Sequence, residues 1–104
     1  MEKKYEHITQ MEQIMVRQEE TVKKLEAVLE ALDAQQEDFR ALSEYYYSEQ
    51  REQDLADEEH HLIPEDLHRG VLSEDEVYNL FLDAHGAALH MIETALKLLR
   101  TQEP

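Results

Sequence analysis

The sequence predicts an all-α protein: a three-helix bundle with long first and last helices and an extra one-turn helix in the second connection. Three observations predict it. Ala, Glu, Leu, Gln and Lys dominate long stretches, while two glycines and two prolines are too few for a turn-rich β fold. Apolar residues recur at three-four spacing over two long stretches, one at each end of the chain. Between them lie helix start and stop signals rather than strand alternation. At 104 residues the chain is expected to be a single helical domain, 1–104, with one shared core.

In the first stretch Ile8, Met11, Met15, Val22, Leu25, Leu29 and Leu32 share one stripe from Tyr5 onward, interrupted in phase only by Gln18. Ile14, Thr21 and Val28 widen the stripe beyond a two-stranded seam, which favours a helix packed against two neighbours. At 1.5 Å per residue that helix would be ~45 Å long. Asp33 with Gln36 forms a capping pair where the pattern thins, so a break is expected there. A second helix follows, carrying Phe39, Leu42, Tyr45 and Tyr46 inward and ending between Ser48 and Glu59.

Pro64 suits a first helical position, Glu65 and Asp66 a first turn, and Gly70 the left-handed residue that closes a helix. A one-turn helix is therefore expected over Pro64 to Arg69. Ser73 then caps a new helix, Glu76 completes a capping box and Leu72 can staple to Val77. That last helix runs almost to Thr101 and carries Val77, Phe81, Ala84, Ala88, Met91, Ala95 and Leu98 on one stripe, broadened by Leu80, Ile92 and Leu99. Gly86, beside Ala84, Ala87 and Ala88, is read as a close helix contact, with Tyr45, Tyr46 or Phe39 filling the hollow. Met11, Met15 and Met91 are expected to fill the core.

Hydrophobic residues make up 41% and charged residues 34%, a balance that folds and stays in water. No apolar run approaches the ~20 residues of a membrane span, and the first residues lack the apolar core of a secretory signal. The absence of cysteine removes disulfides, thiolate metal sites and cysteine nucleophiles, in keeping with a cytoplasmic address. The net charge of −15 is concentrated in the middle: Glu49 to Glu76 holds eleven acids against Arg51 and Arg69. Glu65, Asp66, Glu74, Asp75 and Glu76 fall in helix first turns, where the macrodipole favours anions. The remaining run, Glu49, Glu52, Asp54, Asp57, Glu58 and Glu59, is either a solvated face or a binding patch. Such acidity disfavours direct binding to nucleic acid or anionic membrane and points to a protein partner with a basic surface.

The residues Tyr45, Tyr46, Ser48, Asp54, Asp57 and Glu58, then Pro64, Leu67, Arg69-Gly70-Val71-Leu72-Ser73-Glu74-Asp75, Tyr78 and Leu80, resemble a small bacterial family, domain-of-unknown-function family 4298. The likeness covers most of the chain in length and helix layout. Its specific part runs from Tyr45 to Leu80, with Arg69 to Asp75 the most distinctive. The chain departs from the family at Arg51, where an aromatic residue is usual, and at His60-His61, where a glycine stands. The resemblance implies a compact helical fold and no known activity.

Chemistry-bearing patterns are sparse. Glu58 and His61 have the i, i+3 spacing that puts carboxylate and imidazole on one helix face, but the motif occurs once, and a di-metal bundle needs it twice with further inward Glu residues. His85 and His90 are five apart, so they do not form an i, i+4 zinc pair. No metal ligand set, cofactor or catalytic residue is assigned. Ser73 is explained as a cap, Ser48 lacks a nucleophile's strand-turn-helix setting, and phosphate-cradling glycine loops are absent. Tyr45-Tyr46-Tyr47 cannot all share one helix face, so one of them, Tyr47, is expected to face solvent beside the acidic run. Arg69 is a further contact candidate, or else complements a helix dipole and pairs with Asp66 or Asp75.

These readings favour a non-enzymatic interaction module that presents Tyr47, Glu49, Glu52, Asp54, Asp57, Glu58, Glu59 and Arg69 to a protein partner. The alternative is an inhibitor that mimics nucleic acid, in a phage-type anti-defence role, setting carboxylates where a basic cleft expects phosphates. A metal-binding helical protein ranks third. The broad apolar stripes also permit a homodimer.

Overall fold

The structure, a computed structural model, describes residues 2–102. Among these it contains four α-helices, α1 (Glu2–Ala34), α2 (Gln36–Tyr46), α3 (Glu49–Glu59) and α4 (Glu76–Thr101), one 3-10 turn (Gly70–Leu72) and no strand. The chain is all-α, with the expected second helix divided into α2 and α3 and no one-turn helix over residues 64–69. It divides into two units, one up to Leu42 and one from Ser43 on.

The first unit holds α1 and the start of α2. Thirty-three residues with no Gly or Pro give α1 an unbroken hydrogen-bond ladder, as the three-four spacing predicts. The break falls at the single residue Gln35, whose N–H donates to Ala31 O at 3.1 Å and Leu32 O at 3.2 Å. The expected Asp33–Gln36 capping pair is not made, because the Gln36 amide turns back to Leu32 O at 3.2 Å. The stripe of α1 is exposed within this unit except at Leu29. Ile8, Met11, Met15 and Leu25 keep 56%, 57%, 51% and 43% of their surface, so Met11 and Met15 are not core fillers here. Leu29 and, on α2, Phe39 are half-buried.

The second unit is built around Val77, which is 5% exposed. The sequence missed a helix end here: α2 stops at Tyr46 and α3 starts at Glu49, dividing the predicted second helix. Ser48 makes the corner. Its backbone is extended (φ −90°, ψ 159°), its hydroxyl accepts from the Arg51 N–H at 3.2 Å, and the same hydroxyl donates to Tyr45 O at 2.6 Å. Tyr46 at the end of α2 meets Phe81 of α4 edge-to-face, with ring centroids 5.5 Å apart. The 3-10 turn packs against both α3 and α4.

The far end of α3 closes in a Schellman motif. The His61 N–H donates to Glu58 O at 3.1 Å and the Leu62 N–H to Asp57 O at 2.9 Å, with His61 left-handed at φ 59°. This position favours glycine, and a β-carbon there costs roughly 1–2 kcal/mol. His61→Gly is therefore expected to stabilise the second unit by about 1 kcal/mol in urea unfolding, while His61→Ala gives no gain.

Five local expectations differ from what this unit shows. Residues 64–69 are not a helical turn: Pro64 opens a β-turn in which the Leu67 N–H donates to Pro64 O at 3.2 Å, and the 3-10 turn begins only at Gly70. Gly70 is not left-handed; a methyl group there would meet the Glu76 carboxylate, which folds back over it. The capping box is accordingly half made. The Ser73 hydroxyl accepts from the Asp75 and Glu76 N–H groups at 3.4 and 3.3 Å, but the Ser73 N–H donates to Gly70 O, and regular helix starts at Glu76. Within the second unit Gly86 makes no close contact, since a β-carbon there would meet nothing within 4 Å. Met91 is 41% exposed and fills no core within this unit.

Candidate functional site

The acidic run forms α3, and the helix sorts its carboxylates by direction. At ~100° per residue, Glu49, Glu52 and Glu59 fall on one side and Asp54 and Glu58 on the other. Glu49, Glu52 and Glu59 are exposed, whereas Asp54, Asp57 and Glu58 are half-buried. Tyr47, at the corner before α3, is 76% exposed and held edge-to-face on Tyr46 with centroids 5.0 Å apart. It is the outward member of the tyrosine triplet; Tyr45 and Tyr46 are half-buried.

The inward carboxylates have partners inside the same unit. Asp54 accepts from the Tyr45 hydroxyl at 2.6 Å and from the Gln50 amide at 2.9 Å, which ties the end of α2 to the middle of α3. The Tyr45 hydroxyl, and after it the Gln50 amide, hold the Asp54 carboxyl below its ordinary range. In return, burial and then the bond to Asp54 and its charge push the Tyr45 hydroxyl from 10.0 up to about 12. Asp57 accepts from the Gln53 amide at 3.0 Å. Arg69 donates from Nη1 to Glu58 Oε1 at 3.2 Å, and more weakly from Nη2 to Glu65 O at 3.5 Å. Arg69 thus pairs across the unit with Glu58 rather than with Asp66 or Asp75. With the two side chains 29% and 36% exposed, the pair contributes at most ~1 kcal/mol. Glu58 Oε2 is buried without a hydrogen-bond partner.

The Tyr45–Asp54 pair makes stability depend on pH at both ends. Because the folded chain holds the Tyr45 proton above the unfolded value, that contribution is complete below pH 10.0 and is lost as pH rises toward about 12. Asp54 has the opposite sign: its contribution stands above the unfolded carboxyl pKa and is lost as pH falls through the lower folded value. Tyr45→Phe is expected to flatten the urea midpoint against pH at both limbs and to remove the late phenolate absorbance step. Unchanged limbs would mean that the pair is not formed.

Arg51 was missed as a structural anchor. Its Nε and Nη2 donate to Val71 O and Ser73 O, each at 3.2 Å, and its guanidinium lies 4.4 Å from the Tyr46 ring centroid. The one sequence signal was its departure from the family's aromatic residue. The Glu58 and His61 spacing does not give a helix-face ligand pair, because α3 ends at Glu59 and His61 lies beyond it in the left-handed turn. Glu58 turns to Arg69, and His60 Nδ1–H donates to Ala56 O at 2.8 Å. Among the described residues no three His, Asp or Glu side chains stand close enough to hold a metal ion, and no helix is long and apolar enough to cross a membrane.

A cleft of 320 Å³ opens between α3 and residues 62–72. Leu62, Ile63, Pro64 and Leu67 supply apolar wall, and Tyr45, Asp54, His68 and Arg69 supply polar groups. Leu62 and Leu67 remain 69% and 57% exposed at this cleft. The sequence signal was a set of apolar residues without helical spacing inside an acidic stretch.

In comparisons with known proteins, a family model described as a domain of unknown function (DUF4298) matches residues 8–94. No curated protein and no solved structure matches the chain.

Proposed function

The chain belongs to domain-of-unknown-function family 4298, and from that premise we propose that it is a non-enzymatic interaction module whose α3 docks a basic surface of a protein partner. The observation that carries the reading is the division of the carboxylates. Asp54 and Glu58 bond within the second unit, while Glu49, Glu52 and Glu59 are exposed. Exposed carboxylates at helical spacing give orientation and on-rate, and Tyr47, 76% exposed, supplies an aromatic anchor beside them. Asp57 stands between the two sets, half-buried and bonded to Gln53. Arg69 and Glu58 serve this surface indirectly, by fixing the end of α3 to the segment that follows it.

The test is photo-crosslinking from position 47 in the native cell, followed by triple reversal Glu49→Lys, Glu52→Lys and Glu59→Lys. The expected result is a crosslinked partner with a Lys- and Arg-rich contact surface, and loss of at least about 100-fold in affinity on reversal, or ~2.7 kcal/mol. Thermal unfolding should stay cooperative and fall only modestly: these three side chains make no scaffold bonds, but Glu49 and Glu52 stand in the first turn of α3, where replacing an anion by a cation costs ~0.3–1 kcal/mol each. Retained binding after reversal would end the reading. Displacement of the partner by DNA or RNA would replace it with nucleic-acid mimicry.

The exposed stripes of α1 and α4 belong to the same proposal: they are the faces that would close the predicted three-helix bundle in a cytoplasmic monomer. A solution mass of 12.3 kDa is what that arrangement expects, and twice that mass would assign the stripes to a homodimer instead.

A further inference from the structure

We propose that the cleft between α3 and residues 62–72 is a pocket for a single lysine or arginine side chain of a protein partner. The inference rests on the docking reading above and deepens it by naming what enters and where.

The size is right for one side chain. At 320 Å³ the cleft sits at the lower edge of the ~300–1,000 Å³ that small-ligand sites occupy. Its chemistry is two-part: Leu62, Ile63, Pro64 and Leu67 offer apolar wall, and Asp54 offers a carboxylate beside the Tyr45 hydroxyl. A long aliphatic stem ending in a cation matches both parts, since Lys and Arg bury their methylenes and keep the charged head on a polar group.

Charge complementarity fixes the sign of the head. Asp54 takes one hydrogen bond on each oxygen, from Tyr45 and from Gln50, and each carboxylate oxygen has capacity for a further donor. Arg69 also lines the cleft, but its Nη1 is bonded to Glu58, so its charge is already opposed. Asp57, Glu58, Glu65 and Asp66 lie in the same two stretches; the other cation there, Arg51, is bonded to Val71 O and Ser73 O and lies over the Tyr46 ring. An anionic head would have to displace Glu58 from Arg69 and sit near Asp54. A neutral apolar side chain would leave the Asp54 carboxylate covered without a new partner.

The outward Glu49 and Glu52 lie on another side of α3, so the pocket and the docking face can be tested apart. The probes are blocked tripeptides Gly-Lys-Gly and Gly-Arg-Gly, with Gly-Glu-Gly and Gly-Leu-Gly as controls. They are titrated into the full chain and followed by amide NMR shifts. Saturable shifts centred on Asp54, Leu62, Ile63 and Leu67 are expected for the two basic probes alone, with dissociation constants stronger than ~10 mM. Asp54→Asn and, independently, the exposed-wall change Leu67→Ser should each weaken them by about tenfold, or saturation should vanish. Glu52→Gln should leave them unchanged.

Absent saturation, equal shifts from the Glu or Leu probe, or indifference to both Asp54→Asn and Leu67→Ser would overturn the pocket. The two readings fail differently. If the crosslinked partner survives Leu67→Ser but not the Glu49, Glu52 and Glu59 reversal, the docking face stands and the pocket falls. If it survives the reversal, the docking face falls whatever the tripeptides do.

Discussion

Val77→Asp is expected to abolish cooperative unfolding of the second unit. Val77 is 5% exposed and stands in the first turn of α4, and Leu72, Ser73 and Phe81, close to it in the chain, are half-buried. Two effects oppose each other at this position. A carboxylate in a first helical turn gains ~0.3–1 kcal/mol from the macrodipole. Burying that carboxylate unpaired costs several kcal/mol, which wins. Against a typical stability of about 5–15 kcal/mol for a whole domain, a loss of ~4 kcal/mol in so small a core leaves little. Val77→Ala, which removes two methyl groups without adding charge, should cost only ~1–2 kcal/mol and keep the transition. Urea unfolding followed by tyrosine fluorescence reads both, and an unshifted midpoint in Val77→Asp would show that Val77 is not the interior residue of this unit.

The second large effect is expected at Arg51. Arg51→Met keeps much of the aliphatic stem but removes the donors to Val71 O and Ser73 O and the charge over the Tyr46 ring. Hydrogen bonds from a charged donor are worth ~1.5–3 kcal/mol and a cation over an aromatic face ~0.5–1 kcal/mol, and the three contacts overlap rather than add. A loss of about 2–3 kcal/mol follows, with the segment from Val71 to Ser73 gaining amide exchange first. Arg51→Lys should recover less than half, since an ammonium cannot span two carbonyls with a planar fork. In a double-mutant cycle with Tyr46→Leu, a coupling near ~0.5–1 kcal/mol is expected, and zero coupling would remove the ring contact from the account.

Local sequence chemistry explains much of the secondary structure. The three-four spacing from Ile8 to Leu32, interrupted only at Gln18, and from Val77 to Leu98 specifies α1 and α4, because a helix needs only its own backbone bonds and good helix formers. Ser73 reaches the N–H groups it was expected to cap, because the cap lies within three residues of its targets. Tyr47 faces solvent as expected, but from the corner after α2 rather than from a helix face.

The missed helix end at Tyr46 shows where such reading stops. No glycine or proline marks it, and Ser48 lacks the Glu three residues later that would complete a capping box. What holds the corner is partly distant: Tyr45 reaches Asp54, and Arg51 reaches Val71 and Ser73, twenty and more residues along. The same contacts decide the candidate site. Eight residues were singled out from Tyr47 to Arg69, and the acidic run offered no means of telling an outward Glu52 from an inward Glu58. Helical spacing separates the two sides, but only the partners across the unit, Tyr45 for Asp54 and Arg69 for Glu58, say which side faces in.

By itself, then, the sequence determined helix, charge and the two apolar stripes, since each depends on residue type and neighbours within one or two turns. Tertiary structure alone decided which carboxylates bond inward, where α2 ends and where a cleft opens. Those outcomes depend on side chains meeting across stretches of chain that no local preference connects.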